Sequence, residues 1–184
     1  MVDSSFEAEI KKFAHTIHGI VTFKNESHLD HDNVCTIKTL DETIELIWGN
    51  QPQRGRGVYV TRQSIFSFKL KADTKTRLRI SPKDFLSKML SVFNSSRTMI
   101  GNPHLDKNFL FSTNDIDLLR SLEPELLLFK QFNPFFSFIM EVRDGAEGAM
   151  QFVIQSNELI ADEKKLTPVY NFGKSVARKM NGKL

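Results

Sequence analysis

Residues 64–80 read SIFSFKLKADTKTRLRI, and the pattern of this stretch determines the fold class that we predict. Apolar and polar residues alternate up to Leu70, and the alternation resumes at Leu78 after a polar segment at 73–75. Alternation with a period of two on both sides of a turn is typical of a half-buried β-hairpin. The sequence therefore predicts a hairpin with one apolar face and one face of lysine and arginine side chains.

The remaining segments predict hairpins and helices rather than repeated βαβ units. In chain order they predict a helix, four or five strands, a helix, a strand, a helix, two strands and a helix. This order favours a single α+β domain over residues 1–184, with a mainly antiparallel, twisted sheet of about six to eight strands and helices packed on it. A hairpin followed by a helix is predicted twice, at 64–93 and at 135–181, which leaves a duplicated architecture open.

Two helix starts are predicted from capping residues and proline. Thr113 or Asn114 is expected to cap the helix that contains Ile116. Thr167 and Pro168 are expected to open the last helix, because proline is favoured at the first helical position. Apolar residues at helical spacing predict the buried stripe of that last helix. They are Leu166, Val169, Tyr170, Gly173, Val176 and Met180.

The composition is that of an ordinary globular protein. With 184 residues, of which 40% are apolar and 26% charged, the chain is long enough to bury a core without disulfide bonds. Its one cysteine, Cys35, excludes an internal disulfide, so nothing indicates an oxidising compartment. No apolar run approaches the roughly 20 residues that a membrane-spanning helix needs, and the N-terminus lacks the apolar core of a secretory signal. We therefore expect a cytoplasmic protein without a transmembrane segment.

The charge is unevenly distributed, although the net charge of the chain is only +3. Ten lysines and arginines and two aspartates lie between Arg54 and Lys88, which gives this segment a charge of +8. The rest of the chain carries 15 basic and 20 acidic residues and therefore a charge of −5. An asymmetry of this kind indicates where an anionic partner would bind.

Residues 99–129 read MIGNPHLDKNFLFSTNDIDLLRSLEPELLLF and contain three short motifs in a row. An IG dipeptide precedes a spaced aspartate and phenylalanine, a serine and an aspartate at a helix cap follow, and an LxPEL motif lies in a leucine-rich helix. The residues that carry these motifs are Ile100, Gly101, Leu105, Asp106, Phe109, Ser112, Asp115 and 122–126. The segment resembles uncharacterised bacterial proteins of unknown function, and the resemblance implies no catalytic residue.

Four histidines are the candidates for a metal site. His15 and His18 lie on the first predicted helix, and His28 and His31 lie in the polar segment after it. Two pairs at this spacing provide, in principle, four tetrahedral ligands. Structural zinc sites usually contain cysteine pairs, however, and catalytic ones carry motifs such as HExxH, and the chain has neither. We therefore expect solvated histidines, and we predict no metal and no cofactor.

No sequence pattern indicates catalysis. Cys35 lies in a predicted strand, where we expect a small core residue rather than a reactive thiolate. The chain has no GxSxG elbow and no glycine-rich phosphate-binding loop. Its paired carboxylates lie at predicted helix starts, where the helix dipole accounts for them. We therefore favour a binding module over an enzyme.

The predicted basic face is the leading candidate for a binding site. It would attract an acidic protein, another polyanion or an anionic lipid surface. A solvated strand face whose lysines prevent edge pairing is the alternative explanation. Nucleic acid is not favoured, because the segment that follows the arginine–glycine repeat at 54–57 does not match a known RNA-binding pattern. The residues that we assign to the basic site are Arg54, Arg56, Arg62, Lys69, Lys71, Arg77 and Arg79.

A different function follows if the helices and the sheet enclose a cavity. The chain contains 16 phenylalanines, most of which we expect in the core. A cavity lined by some of them would make the protein a small-molecule-binding or enzymatic domain. The lining residues would then be Phe66, Phe68, Phe136, Phe138 and Phe152. Pairing through an exposed strand edge also leaves a homodimer open.

Overall fold

The computed structural model describes residues 4–25, 32–53, 57–83, 98–132, 138–145 and 149–182. The helices in these ranges are α1 (Ser4–Thr16), α2 (Pro103–Asn108), α3 (Ile116–Ser121), α4 (Glu123–Phe132) and α5 (Glu163–Met180). The strands are β1 (Ile20–Asn25), β2 (Asp32–Lys38), β3 (Glu42–Gln53), β4 (Gly57–Lys69), β5 (Leu78–Pro82), β6 (Phe109–Thr113), β7 (Phe138–Asp144) and β8 (Met150–Ser156). The helix predicted after residue 82 falls almost wholly outside the described residues.

All eight described strands form one antiparallel sheet in the order β1-β2-β3-β4-β8-β7-β5-β6. The first four strands are consecutive neighbours, so that part of the sheet is a simple meander. The last two strands of the chain, β7 and β8, lie in the middle and join the meander to β5 and β6. The predicted fold class, an antiparallel α+β sheet with helices packed on it, is confirmed.

The prediction that residues 64–80 form a β-hairpin is wrong. Strand β4 pairs with β3 on one side and with β8 on the other, whereas β5 pairs with β6 and β7. Two strands therefore separate the arms of the predicted hairpin. Alternation specifies which face of a strand is buried, but it does not specify the neighbouring strand. The unit proposed at 64–93 lacks its hairpin for the same reason. In the second proposed unit, β7 and β8 pair antiparallel and precede α5 in the chain, and a duplicated architecture stays a prediction.

Residues 70–77 cross from β4 to β5 past the ends of the two intervening strands, and two asparagines fix this crossover. At its start, the backbone N–H of Lys71 donates to Oδ1 of Asn181 over 2.9 Å. At its end, the backbone N–H of Arg77 donates to Oδ1 of Asn114 over 2.7 Å. The polar residues that suggested a tight turn thus belong to a longer connection held by side-chain amides.

The helices α1, α4 and α5 cover one face of the sheet. The residues buried on this face are Ser64, Phe66 and Phe68 of β4 and Phe152, Ile154 and Ser156 of β8. Helix α1 adds Phe6, whose ring packs edge-on against Trp48 of β3 with the ring centroids 4.9 Å apart. The stripe predicted for the last helix is confirmed at five of its six positions, and Met180 is partly buried against the same core.

The two predicted helix starts are wrong by a few residues. Asp115, rather than Thr113 or Asn114, caps α3, because its carboxylate accepts the N–H of Leu118 over 2.9 Å. Helix α5 begins at Glu163 and is capped by Asp162, so Pro168 lies inside the helix. Pro168 is the sixth residue of the helix and has no backbone N–H, so the carbonyl of Lys164 lacks its usual donor from residue 168.

Helix α5 lies very close to the sheet at Gly173, which packs against the ring of Phe68. A Cβ atom built on Gly173 would lie 2.1 Å from Cε2 of Phe68 and 2.2 Å from its Cζ. Real carbon atoms do not approach this closely, so only glycine fits at this position. The same ring lies 6.0 Å from that of Tyr170, one helical turn away. The contact sets how deeply the helix lies on β4.

We expect Gly173→Ala to destabilise the protein by about 1–3 kcal/mol, because the methyl group forces either the ring or the helix to move. Alanine has the higher helix propensity, so a loss of stability isolates the packing effect. Urea unfolding measures the change, and Asn171→Ala, at an exposed position of the same helix, is the matched control. Adding Phe68→Leu to Gly173→Ala should recover part of the loss. Equal stability of Gly173→Ala and the wild type would contradict the close contact.

Candidate functional site

A cleft of about 750 Å³ lies at the end of the sheet where β4 ends. Its walls come from the end of α1 (17–18), the β2–β3 turn (39–42), the end of β4 with the start of the crossover (68–72) and the last turns of α5. Small-molecule sites in proteins commonly have volumes of about 300–1,000 Å³. The size of the cleft therefore suits a ligand or a protruding group of a larger partner.

A hydrogen-bonded cluster holds the inner side of the cleft together. The hydroxyl of Thr39 donates to the carboxylate of Glu42, and the backbone N–H of Glu42 donates back to that hydroxyl oxygen over 3.1 Å. Nζ of Lys174 lies 3.5 Å from Oε1 of Glu42 and donates to the hydroxyl oxygen of Tyr170 over 3.1 Å. The turn and the helix are thus linked by an ion pair whose carboxylate is nearly buried.

The environment of this cluster fixes the charges of its members. The hydrogen bond to Tyr170 and the carboxylate of Glu42 raise the pKa of Lys174 despite its partial burial. Burial raises the pKa of the Tyr170 hydroxyl, and the Glu42 carboxylate acts in the same direction. Lys174 is therefore an ammonium and Tyr170 a neutral phenol near neutral pH. The cluster presents a positive charge and does not supply a neutral amine nucleophile.

Asn181, the C-cap of α5, holds the end of β4 in place at the opposite wall. Its side-chain amide accepts the N–H of Lys71 and donates to the carbonyl of Lys69 over 3.2 Å. The N–H of Lys69 donates in turn to the carbonyl of Asp41 in the β2–β3 turn over 2.8 Å. Two predicted binding residues, Lys69 and Lys71, therefore line the cleft on a backbone that is fixed on both sides.

The cleft carries a positive charge. Lys69, Lys71, Lys174 and Arg178 line it against Asp41 and Glu42, which leaves a formal charge of +2. Lys174 is paired with Glu42, but in the described part of the chain the side chains of Lys69, Lys71 and Arg178 form no ion pair. These three exposed cations are available to an anion.

Two of the predicted basic residues lie on the face of the sheet opposite α1, α4 and α5, although they are not neighbours. Lys69 lies opposite Gln151, and Arg79 lies opposite Glu141, to which it forms a 3.3 Å ion pair. The register places Arg143 in the same cross-strand row as Lys69 and Gln151. The sequence analysis missed Arg143 because it lies outside the basic segment, and only the pairing of β7 with β8 brings it to this face.

The other predicted basic residues do not join the cleft. Arg62 is opposite Trp48 in β3, about 23 Å along the strand from Lys69. Arg77 is exposed at the far end of the crossover. Arg54 and Arg56 lie outside the described residues. Lys174 and Arg178 on α5 also line the cleft, and the sequence did not indicate them because no local pattern connects them to β4.

The phenylalanines proposed to line an apolar cavity are mostly core residues. Phe66, Phe68, Phe138 and Phe152 are buried, and the rings of Phe68 and Phe152 lie 6.3 Å apart. Phe68 also lines the cleft. Phe136 lies outside the described residues, so the five-residue cavity stays a prediction.

The histidines and the cysteine have different surroundings. His15 and His18 are exposed at the end of α1, and His28 and His31 lie outside the described residues. Within the described ranges, no three histidine, cysteine, aspartate or glutamate side chains converge to hold a metal ion. Cys35 is fully buried, and burial together with the charge of Glu7 raises the pKa of its thiol to about 12. Such a thiol stays protonated and unreactive near neutral pH.

A second opening, of about 470 Å³, lies between α4 and α5. Its lining is mainly apolar and includes Leu128, Phe129 and Phe172. At its edge Glu125 forms a 2.6 Å ion pair with Lys179. Burial alone would raise the pKa of this carboxyl, but the lysine and hydrogen-bond donors lower it overall. The charge of Glu125 is thus balanced by Lys179, unlike the charges of Lys69, Lys71 and Arg178 in the cleft.

No protein-family model matches the chain, and no curated protein and no solved structure matches it either. The helices in the described ranges are all too short or too polar to cross a membrane. The function is therefore inferred from the chemistry of the cleft.

His18, on the rim of the cleft, has a left-handed backbone conformation with φ of 56°. It follows α1 in a Schellman-type ending, in which the N–H of Gly19 donates to the carbonyl of Ala14 over 2.8 Å. Glycine is preferred at this position because a Cβ atom is crowded in the left-handed region. The strained residue, His18, therefore occupies the position where glycine is preferred, and the glycine of the chain, Gly19, comes one residue later.

We expect His18→Gly to stabilise the protein by roughly 0.5–1 kcal/mol, because relief of the left-handed strain exceeds the added entropy of the unfolded chain. His15→Gly is the matched control. Because His15 lies within α1, this substitution should lower the free energy of unfolding by roughly 0.5 kcal/mol. Thermal and urea unfolding of both variants measure the two effects. Destabilisation by both substitutions to a similar extent would contradict the strained ending.

Proposed function

We propose that this protein is a non-catalytic binding module that holds an anionic partner at the cleft. The observation that carries the proposal is the set of three exposed cations on one wall and rim, Lys69, Lys71 and Arg178, without an ion pair in the described part of the chain. Lysine and arginine side chains concentrated around a concave surface focus the electrostatic potential there. Acidic proteins, other polyanions and anionic lipids all fit this potential.

The rigidity of the cleft also supports binding. Asn181 fixes the backbone of Lys69 and Lys71, and the Glu42–Lys174 pair fixes the turn that faces them. A binding surface that is already ordered loses less conformational entropy when its partner arrives. The cleft can therefore bind without a rearrangement of the backbone.

One feature opposes anion binding, and its size can be estimated. Helices α1 and α5 both end at the cleft, and a helix C-terminus carries the equivalent of about half a negative charge. Two such ends subtract about one charge from the formal +2 of the cleft, and the effect fades within one helical turn. The lysines on β4 and the crossover belong to neither helix, so the positive charge prevails at the entrance.

We expect the protein to bind labelled polyglutamate at low salt and to release it as the salt concentration rises. The double variant Lys69→Glu/Lys71→Glu should weaken this binding by at least about tenfold, because two attractions become repulsions. Fluorescence anisotropy across a salt titration measures the affinities.

The matched control is Lys164→Glu/Lys165→Glu, which makes the same charge change at exposed positions in the first turn of α5. This turn lies about 20 Å from the cleft end of the helix. Its variant should bind polyglutamate nearly as well as the wild type. Equal weakening by both double variants would show that only net charge matters, and a wild type that ignores polyglutamate at low salt would end the proposal.

A further inference from the structure

Resting on the proposed function, we infer that the anionic partner is a phospholipid surface, into which Leu40 and Ile20 insert between the basic residues of the cleft. Leu40, at the tip of the β2–β3 turn, is 94% exposed, and Ile20, at the start of β1, is 73% exposed. They are the two most exposed large apolar side chains in the described part of the chain. Both lie at the cleft end of the sheet.

The sheet register places these two residues together. Ile20 is directly opposite Lys38, and Leu40 follows Lys38 by two residues. Leu40 also lines the cleft together with Lys69, Lys71 and Arg178. Leu40 thus lies in the cleft among three exposed cations from segments distant in sequence, and Lys38 beside Ile20 adds a fourth cation nearby.

The fold itself does not need an apolar residue at the tip. The β2–β3 turn is closed by the hydrogen bonds between Thr39 and Glu42, which leave the side chain of residue 40 in solvent. A leucine there gains no burial within the described structure, whereas its transfer into the acyl region of a bilayer is favourable. The position is therefore explained by a partner that accepts an apolar group.

The combination of apolar and basic groups distinguishes between anionic partners. A soluble polyanion such as polyglutamate would satisfy the lysines but leave Leu40 in water. A bilayer with anionic headgroups satisfies both, because lysines interact with the headgroups while an apolar side chain enters the boundary below them. Binding of this kind combines two weak contributions, neither of which holds a protein at a membrane alone.

Cosedimentation with phosphatidylcholine vesicles, with and without phosphatidylserine, tests the inference on the full chain. We expect binding only to the vesicles that contain phosphatidylserine, with a loss at high salt. Leu40→Ala should weaken vesicle binding roughly tenfold, since burial of the leucine side chain is lost. The same variant should bind polyglutamate like the wild type.

The matched control is Leu128→Ala, because Leu128 is 54% exposed beside the α4–α5 opening, away from the cleft. It should bind both probes normally. As a second measurement, the tryptophan emission of Leu40→Trp should shift to the blue when phosphatidylserine vesicles are added. The wild type measures the shift that the native Trp48 contributes, and the shift of the variant should be larger.

The outcomes separate this inference from the proposed function. Binding of polyglutamate without binding of phosphatidylserine vesicles overturns the lipid inference and leaves the binding module intact. Equal vesicle binding by the wild type and Leu40→Ala overturns the insertion. A homodimer in light scattering that Leu40→Ala dissociates overturns it as well, since a second copy would then cover the tip. If the protein binds neither polyglutamate nor phosphatidylserine vesicles, both proposals are wrong.

Discussion

The contact between Phe68 and Gly173 determines the position of the last helix and, through it, the geometry of the cleft. Because no Cβ atom fits between them, α5 lies deep on β4, and the helix runs along the strand toward its end. There Asn181 meets the backbone of Lys69 and Lys71. One close approach in the core thus decides where a surface site forms, because a helix displaced outward would carry Asn181 away from β4.

The fold class could be predicted from the sequence, whereas the order of the strands could not. Alternation along β4 correctly indicated that the face of the strand with Phe66 and Phe68 would be buried. It could not reveal that β8, more than 80 residues later, occupies the edge of β4 that the hairpin prediction gave to β5. Strand partners are selected by contacts between distant segments, so the alternation within one strand does not identify the strand that pairs with it.

The candidate site shows the same division. Lys69 and Lys71 could be predicted because they belong to a dense basic segment. Leu40, Lys174 and Arg178 could not, because their relation to that segment exists only after β2, β4 and α5 have packed. Basic residues near the end of a helix are expected from the helix dipole alone, so their presence in α5 did not indicate a cleft. The charge asymmetry of the chain therefore located one wall of the cleft and none of the others.

The pairing of β4 with β8 is the central claim about the fold, since it places β4 inside the sheet beneath α5, and a cross-linking measurement tests it directly. Ser67 lies opposite Val153, where Cα atoms about 4.5–5.5 Å apart allow a disulfide. A 64–80 hairpin would instead place Lys69 opposite Arg79, which the sheet order separates by about 14 Å. Mild oxidation should therefore cross-link Ser67→Cys/Val153→Cys and spare Lys69→Cys/Arg79→Cys, while buried Cys35 takes no part. A disulfide in the second variant and none in the first would contradict the account.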